Sequence, residues 1–351
     1  MLGDTGMQTR KLQKVGGSTY TVSIPKRWAE THHLEAGCEV HLYTHTDGSL
    51  VVRSSRTDGG DLATARVEIA ESDPEVVKRV LKATYAAGFD EVALTPVEAF
   101  TDDQRRTASA LARTLIGTEV VEADDASIVV RNLLDPGDVS VRQSVIQLQF
   151  VTLSMHRTAT DAVVADAAGG AEQVAGRDDE ADRLFEMLAR HFNRSLTDFE
   201  EIDHLGVGRS ELFDCYLAAR QLERVADHAV RIATVARRLD RDADEAVDDE
   251  VAERIRESAD SARGVVEDAT EAVLGDSAVE DAHGVLDRRD EAVDDLEAIE
   301  RAVFERGATA SERPPTDAYL LTRVLDSLVR TAEYGGNIAE VAVESAIRDG
   351  N

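Results

Sequence analysis

Four carboxylates at helical spacing are the residues of this chain best suited to chemistry. In the stretch LERVADHAVRIA at 222–233, Glu223 and Asp227 stand four apart, so one helical face carries both, beside an apolar stripe of Leu222, Val225, Ala229 and Ile232. Asp178 and Asp182, in DDEADRL, repeat that spacing on an earlier helix. Facing one another across a helix-helix seam, the four would offer oxygen donors only. Such a set selects hard cations such as magnesium, calcium or manganese, or iron as in carboxylate-bridged bundle sites. A fainter copy follows. Asp290 and Asp294, in DEAVDDL, come 112 residues after Asp178 and Asp182, and VRTAEYGGNIAE at 329–340 aligns with 223–234 at an offset of 106. That alignment sets Glu333 against Asp227 and Val329 against Glu223, so the expected second set is Asp290, Asp294 and Glu333, one carboxylate short.

Acidic pairs at this spacing are common here, Glu253 with Glu257 and Glu267 with Glu271 among them, and their default reading is solvated surface. What singles out the others is their placement at matching points of two copies. The acidity is general: 69 acidic against 39 basic residues give a net charge of -30, and five of the basic residues are lysine. An acidic, lysine-poor surface suits a protein working in concentrated salt, where screening removes much of the self-repulsion, so a halophilic source is expected. Cys38 and Cys215 lie far apart without CxxC spacing, which excludes a disulfide framework and a thiolate zinc site and fits a reducing cytoplasm. No apolar run approaches the ~20 residues of a membrane span, and the first ten residues contain no apolar signal region. A cytoplasmic protein without membrane insertion is expected. His228 reads as a seam residue, His32 and His33 as the close of a short helix, and Trp28 as core. No nucleophile-and-base set is present, so no enzyme is expected.

Three kinds of element must position these residues. From about 139 to the end the chain reads as six amphipathic helices, 139–166, 177–205, 209–239, 246–274, 276–306 and 316–348, broken by glycine-rich stretches. Three and three make two similar bundles, 139–240 and 246–348. Residues 64–135 alternate strand and helix, with helices at 74–87 and 102–115, and predict a small α/β domain with no glycine-rich phosphate loop. A linker at 56–63 separates it from a head of short strands and one short helix, with Asp47-Gly48 marking a hairpin turn. The head also reverses the charge: residues 1–57 hold seven basic and five acidic side chains. In so acidic a chain this is the one nucleic-acid footprint.

The head residues RKLQKVGGSTYTVSIPKRWAETHHLEAGCEVHLYTHTDGSLVVRS resemble the AbrB/SpoVT/MazE swapped-hairpin domain, through the step Ile24-Pro25-Lys26 and the spacing of Leu34, Gly37 and Val40. The resemblance implies a domain at 7–56 in which two copies interlock their hairpins. It makes Arg10, Lys11, Lys14, Ser18, Lys26 and Arg27 the contacts to DNA, with dimerisation alone as the other use of such a module.

The helical half, with DDEADRL, RQLERVADHAVRIA, RRDEAVDDLEAI and RTAEYGGNIAEVA, resembles the PhoU family of phosphate-uptake regulators. The expected architecture is therefore multidomain and mainly α: a swapped-hairpin β head, a small α/β middle domain and two tandem PhoU-like three-helix bundles. The resemblance implies bundles that report phosphate status through the phosphate ABC transporter or its circuit and a head that couples this to transcription; a homodimer that brings two heads together is expected. The resemblance also implies divalent or trivalent metal (iron, magnesium, manganese or another) held by Asp178, Asp182, Glu223 and Asp227, and in part by Asp290, Asp294 and Glu333. The rival expectation is a metabolite-responsive AbrB-type transcription factor whose bundles are scaffold. A pure metal-storage bundle is the third.

Overall fold

The computed structural model describes residues 9–17, 19–44, 48–54, 62–164, 169–198, 200–239, 249–275, 279–309 and 315–349. Ser18, Asp47 and residues 56–61 of the expected linker lie outside the described residues. The chain divides into two compact units, Met1–Asp58 and Gly59–Asn351.

In the first unit, Gln13–Val15 (β1) and Thr19–Thr21 (β2) pair antiparallel with Lys14 opposite Tyr20, across a turn in which Gly16 takes a φ of 68°. Pro25 then opens a one-turn-and-a-half helix, Lys26–Thr31 (α1). The His32 N–H closes it on the Trp28 carbonyl, and the two rings lie 4.9 Å apart. A second antiparallel hairpin joins His41–Thr44 (β3) and Leu50–Arg53 (β4), with Tyr43 opposite Val51. Each hairpin is a two-stranded sheet of its own, and no described residue of the head is buried. Trp28, expected in a core, is half-buried.

The second unit begins with the α/β domain: Thr64–Ile69 (β5), Pro74–Ala86 (α2), Glu91–Pro96 (β6), Asp102–Thr114 (α3), Thr118–Ala123 (β7) and Ile128–Asn132 (β8). The sheet order is β5-β6-β8-β7; β5 and β6 run parallel, which their α2 crossover requires, and the other pairs are antiparallel. Local sequence sets the helix starts. The Asp73 carboxylate accepts from Glu75 N–H with Pro74 at the first helical position, and Thr101 with Gln104 forms a capping box. Together α2 and α3 bury Val77, Leu81, Tyr85, Ala108 and Leu111 against Leu94 and Ile128 of the sheet.

A short 3-10 turn leads into the helices Val141–Val164 (α4), Gly170–Ser195 (α5), Glu200–Leu205 (α6), Arg209–Ala236 (α7), Asp249–Leu274 (α8), Val279–Thr309 (α9) and Pro315–Asp349 (α10). The helix expected at 177–205 is two: α5 starts at Gly170 and stops after Ser195. The cause is Asp198, whose carboxylate accepts the Glu200 N–H at 3.0 Å and so starts α6 as a separate turn. Helices α4, α5 and α7 form one bundle and α8, α9 and α10 the other, and they share a single continuous core.

The burial pattern pairs the bundles residue by residue. Leu148, His156 and Ala159 on α4 match Ile255, Arg263 and Val266 on α8, and Leu222, Ala226 and Ile232 on α7 match Leu328, Ala332 and Ile338 on α10. Matched residues meet: the His156 Nδ1 accepts from Arg263 Nη1 at 3.1 Å, and the His228 ring faces Tyr334, its counterpart, at 5.6 Å. Self-contact of equivalent positions is what a local two-fold between the bundles demands. On its far side the His156 Nε2–H donates to Thr331 Oγ1 at 3.1 Å, whose own hydrogen goes to the Ser327 carbonyl, so a fully buried imidazole is held neutral. Burial first, then the adjacent Arg263, lower its pKa to about 3.

Candidate functional site

The acidic seam lies where α5 and α7 run side by side, and α2 of the α/β domain packs against its α5 side. Burial brings α5 and α7 together through Ala181, Leu184, Leu188, Leu222, Val225 and Ala229. That leaves Asp178, Asp182 and Glu223 half-buried at the rim of the contact, with Asp227 at its solvent edge. The four sense one another. Burial first, then the charges of Asp182 and Asp227, raise the Asp178 carboxyl to about 6. Glu223 is raised by burial and then by Asp227, with Arg220 opposing. Asp227 is raised by its partial burial, with Arg231 drawing it down and Asp182 up.

A fifth carboxylate escaped the sequence reading. Glu186, one turn beyond Asp182, faces the same cleft; burial raises it and Lys82 opposes. Its partner is the second missed residue: Lys82 Nζ lies 2.8 Å from Glu186 Oε1 and 3.1 Å from Asp182 Oδ2. Burial alone would lower the Lys82 ammonium, but Glu186 and then Asp182 raise it to about 12. No spacing rule links residue 82 to residue 182, although the i, i+4 continuation from Asp182 to Glu186 was visible. A cavity of about 400 Å³ opens beside this contact, with Lys78, Lys82, Thr107, Asp178, Asp182 and Arg183 among its walls.

The far end of α2 is held to α5 by a denser set of bonds. Arg190, 2 % exposed, donates to the carbonyls of Tyr85 at 3.2 Å and Phe89 at 2.7 Å and to Asp90 Oδ1 at 3.1 Å. Asn193 donates to Ala86 O at 2.8 Å and Arg194 to Gly88 O at 2.8 Å. Ala86 ends α2 and Gly88, Phe89 and Asp90 follow it, while the Tyr85 carbonyl also accepts the Gly88 N–H at 3.0 Å, so α5 ties down both the last turn of α2 and the segment after it. Gly88 takes φ 99°, and a Cβ there would collide with the Arg194 side chain. Arg194 is in turn bonded to Glu201, whose other oxygen lies 2.6 Å from His191 Nδ1. Burial would raise Glu201, but His191 and Arg194 outweigh it and hold that carboxyl low.

Oxygen donors suit a hard cation, but the residues as placed do not make a ligand shell. Among the described residues no group of three or more His, Cys, Asp or Glu side chains is arranged to hold a metal ion. Asp182 and Glu186 are instead paired with Lys82.

In the second bundle the seam is differently built. Burial pairs Ala171, Val174, Ala181, Phe185 and Leu188 of α5 with Ala282, Val285, Ala292, Leu296 and Ile299 of α9, an offset of 111 and not the 112 of the sequence alignment. Arg289 therefore stands in the place of Asp178, Val293 in that of Asp182, Val329 in that of Glu223 and Glu333 in that of Asp227. Asp290 and Asp294 are exposed, Asp290 Oδ1 lies 2.6 Å from Arg289 Nε, and Glu333 is 2.7 Å from Arg330 Nη1. The structure does not bring Asp290, Asp294 and Glu333 together as the first set's counterpart, because a one-residue shift turns a helix face by about 100°.

In the head, Arg10, Lys11, Lys14, Lys26 and Arg27 are all exposed, and Lys26 Nζ is 3.4 Å from Glu30. Among the described residues no helix is long and apolar enough to cross a membrane. Cys38 is exposed and Cys215 buried, and burial pushes the Cys215 thiol up to about 12.

Residues 145–236 match the family model of the PhoU domain, and residues 13–59 match that of the antidote-toxin recognition protein MazE, a bacterial antitoxin. The PhoU-domain match runs over α4, α5, α6 and α7, and thus over the acidic seam, and stops before the second bundle. No curated protein matches the chain. Among solved structures, PhoU from Pseudomonas aeruginosa is similar at 19 % identity with a TM-score of 0.49, over 60 % of this chain and 96 % of that one. The phosphate transport system regulatory protein PhoU from Streptococcus pneumoniae is similar at 16 % identity with a TM-score of 0.48, over 60 % of this chain and 94 % of that one.

Proposed function

We propose that the chain is a cytoplasmic, non-enzymatic regulator of phosphate uptake, in which the double bundle receives phosphate status and the head carries it to DNA. The observation that supports this most is the coincidence of the PhoU-domain match with the helices that build the acidic seam and hold α2. The partner of the bundle is the phosphate ABC transporter or a component of its circuit, as the match implies. The α/β domain, clamped by α5, moves with the first bundle.

The head acts as a pair. It has no buried described residue, and Leu12, Val15, Tyr20, Leu42 and Leu50 are each more than half exposed. Isolated two-stranded hairpins are marginal in water, so a second copy interlocks with the first and covers these side chains. The dimer then brings two sets of Arg10, Lys11, Lys14, Lys26 and Arg27 together, which doubles the phosphate contacts available to a duplex and makes binding steeply salt-dependent. The acid-rich, lysine-poor surface suits a halophilic host.

The test is transcription and promoter occupancy in phosphate-replete and phosphate-starved cells. Deletion of the gene is expected to break the phosphate response of uptake genes. The Arg10→Glu, Lys14→Glu, Lys26→Glu variant is expected to stay dimeric and lose the promoter. A phosphate response that survives deletion overturns the reading, and a metabolite-responsive regulator that uses the cleft beside Lys78 and Arg183 takes its place.

A further inference from the structure

Two cavities lie where the α/β domain meets the first bundle, and they differ in charge. The cleft beside Lys82 is walled by five carboxylates and three cations. Its neighbour, of about 440 Å³, shares Thr114 and Arg183 with it and is bordered by the end of α3, the turn that follows, α4 and α5. The charged walls there are Arg113 of α3, Arg183 of α5 and one acid, Glu180, whose carboxylate already lies 3.7 Å from Arg177. A cavity with a positive lining is an exception in a chain of net charge -30, and its volume suits a small molecule.

The donors around this cavity are unspent. Among the described residues the side chains of Arg113 and Arg183 make no ion pair and no hydrogen bond. Ile116 and Gly117 form the turn between α3 and β7, and no described residue accepts from their N–H groups. A cation in the last turn of a helix has an ordinary use, since it can meet the carbonyls left over there. At α3 that use is filled: the hydroxyls of Thr114, Thr118 and Tyr85 meet the carbonyls of Leu111, Ala112, Leu115 and Ile116. Guanidinium groups present paired N–H donors that match phosphate oxygens, and successive N–H groups of a turn also favour an anion. A carboxylate has two oxygens to share among two arginines and such a turn, whereas a phosphate group has enough for each. We propose that this cavity binds a phosphate group, as the free ion or as the monoester of a small metabolite, with Arg113 and Arg183 as its charged contacts. The bound group ties α3 to α5, as Lys82 and Arg190 tie α2.

This deepens the proposed regulator by naming where phosphate status is read, and its role in the cell rests on that reading. Binding of inorganic phosphate and of ribose 5-phosphate to the full-length protein is measured by titration calorimetry at fixed ionic strength. Acetate serves as the carboxylate control, and hydrogen exchange of α3 is the second readout. Arg113→Gln and Arg183→Gln are each expected to weaken binding at least tenfold, while Arg79→Gln, at an exposed arginine of α2 outside the cavity, leaves it unchanged. The two cavity arginines sit on separate helices and hold no internal bond, so either variant keeps the fold. Exchange of α3 is expected to slow at saturation. Equal affinity for the two phosphates identifies the free ion as the ligand and tighter binding of the ester identifies the ester; either supports the site. Absence of binding, equal affinity for acetate, or an equal loss in Arg79→Gln overturns it, and so does binding that leaves α3 exchange unchanged. Cavity binding in a protein whose deletion spares the phosphate response would sink the regulator and keep the site.

Discussion

The two bundles share one scaffold and differ along one row of positions. On α5 that row reads Asp178, Asp182, Glu186, Arg190, Arg194; on α9, at the offset that burial defines, it reads Arg289, Val293, Glu297, Arg301, Glu305. Core positions beside these rows correspond in being apolar and buried, Ala181 with Ala292, Phe185 with Leu296 and Leu188 with Ile299. The row facing outward is therefore free to diverge once the core is met. In the first bundle it has become a docking face for α2, acidic at one end and basic at the other; in the second it carries two arginines, Arg289 and Arg301, each paired with an acid of its own helix. Arg190 and Arg301 make the point within one residue type. Arg190 is 2 % exposed and ties down the end of α2, whereas the Arg301 side chain is 67 % exposed and lies 3.6 Å from Glu297 in a surface pair.

The largest effect is expected from that pair. Arg190→Leu deletes the donors to Tyr85 O, Phe89 O and Asp90; Tyr85 O keeps the Gly88 N–H and Asp90 keeps Arg194, so the Phe89 carbonyl loses its bond and the buried α2–α5 contact its charge. Losing a buried, charge-assisted contact of this kind costs about 3 kcal/mol. Urea unfolding is expected to show the α/β domain separating from the bundles in an earlier transition. Arg301→Leu is expected to stay within about 0.5 kcal/mol of wild type, as exposed ion pairs do. Comparable losses in the two variants would mean that the rows do not differ as described.

A smaller effect tests the closeness of the second bundle. Gly335 on α10 faces Val265 and Val266 of α8; a Cβ at 335 would lie 2.8 Å from Val265 Cγ1 and 3.0 Å from the Val266 backbone nitrogen. The first bundle has Ala229, fully buried, at the matched position, so its helices stand far enough apart for a methyl group. Gly335→Ala gains helix propensity but forces α8 and α10 apart, and overpacking of this type costs about 1–3 kcal/mol. A rise in melting temperature for Gly335→Ala would show that the helices are not in contact there.

The sequence disclosed the periodic parts of this molecule and concealed the contacts between distant segments. The apolar stripes of α4, α7, α8 and α10 were legible because burial of a helix face repeats every three to four residues, and the offset of 106 between α7 and α10 agrees with the burial of both. The strands and helices of the α/β domain were equally plain from their alternation over residues 64–135. What failed on α9 was phase: a run of acids, Asp287, Asp290, Glu291, Asp294 and Asp295, offers several i, i+4 readings, and only burial of Ala292 and Leu296 decides among them. The break after Ser195 was missed because it depends on one side chain, Asp198, capping the next turn. Lys82 and Arg190 were beyond reach, since their partners lie about a hundred residues away in the chain and no periodicity reports that. The head showed its strands and its charge, yet its lack of a core became visible only in three dimensions.

The smallest expected effect separates the seams by their response to pH. Asp178 is held at about 6 in the folded protein, chiefly by burial and then by Asp182 and Asp227, against an ordinary value of 3.8. A carboxyl raised on folding binds more protons in the native than in the unfolded state between those two values, so its contribution to stability is complete below about 4 and is lost as the pH climbs through 6. Asp178→Asn removes that loss and keeps the shape. The variant is expected to melt slightly above wild type at pH 7 to 8, with the gap closing as the pH falls through 6 towards 4. Arg289→Gln, at the matched position of the second bundle, has no carboxyl to titrate there and is expected to shift the melting temperature by an amount that does not vary over the same range. A gap for Asp178→Asn that stays constant with pH would show that the carboxylates of the first seam do not crowd one another, and the chief electrostatic distinction between the two bundles would go with it.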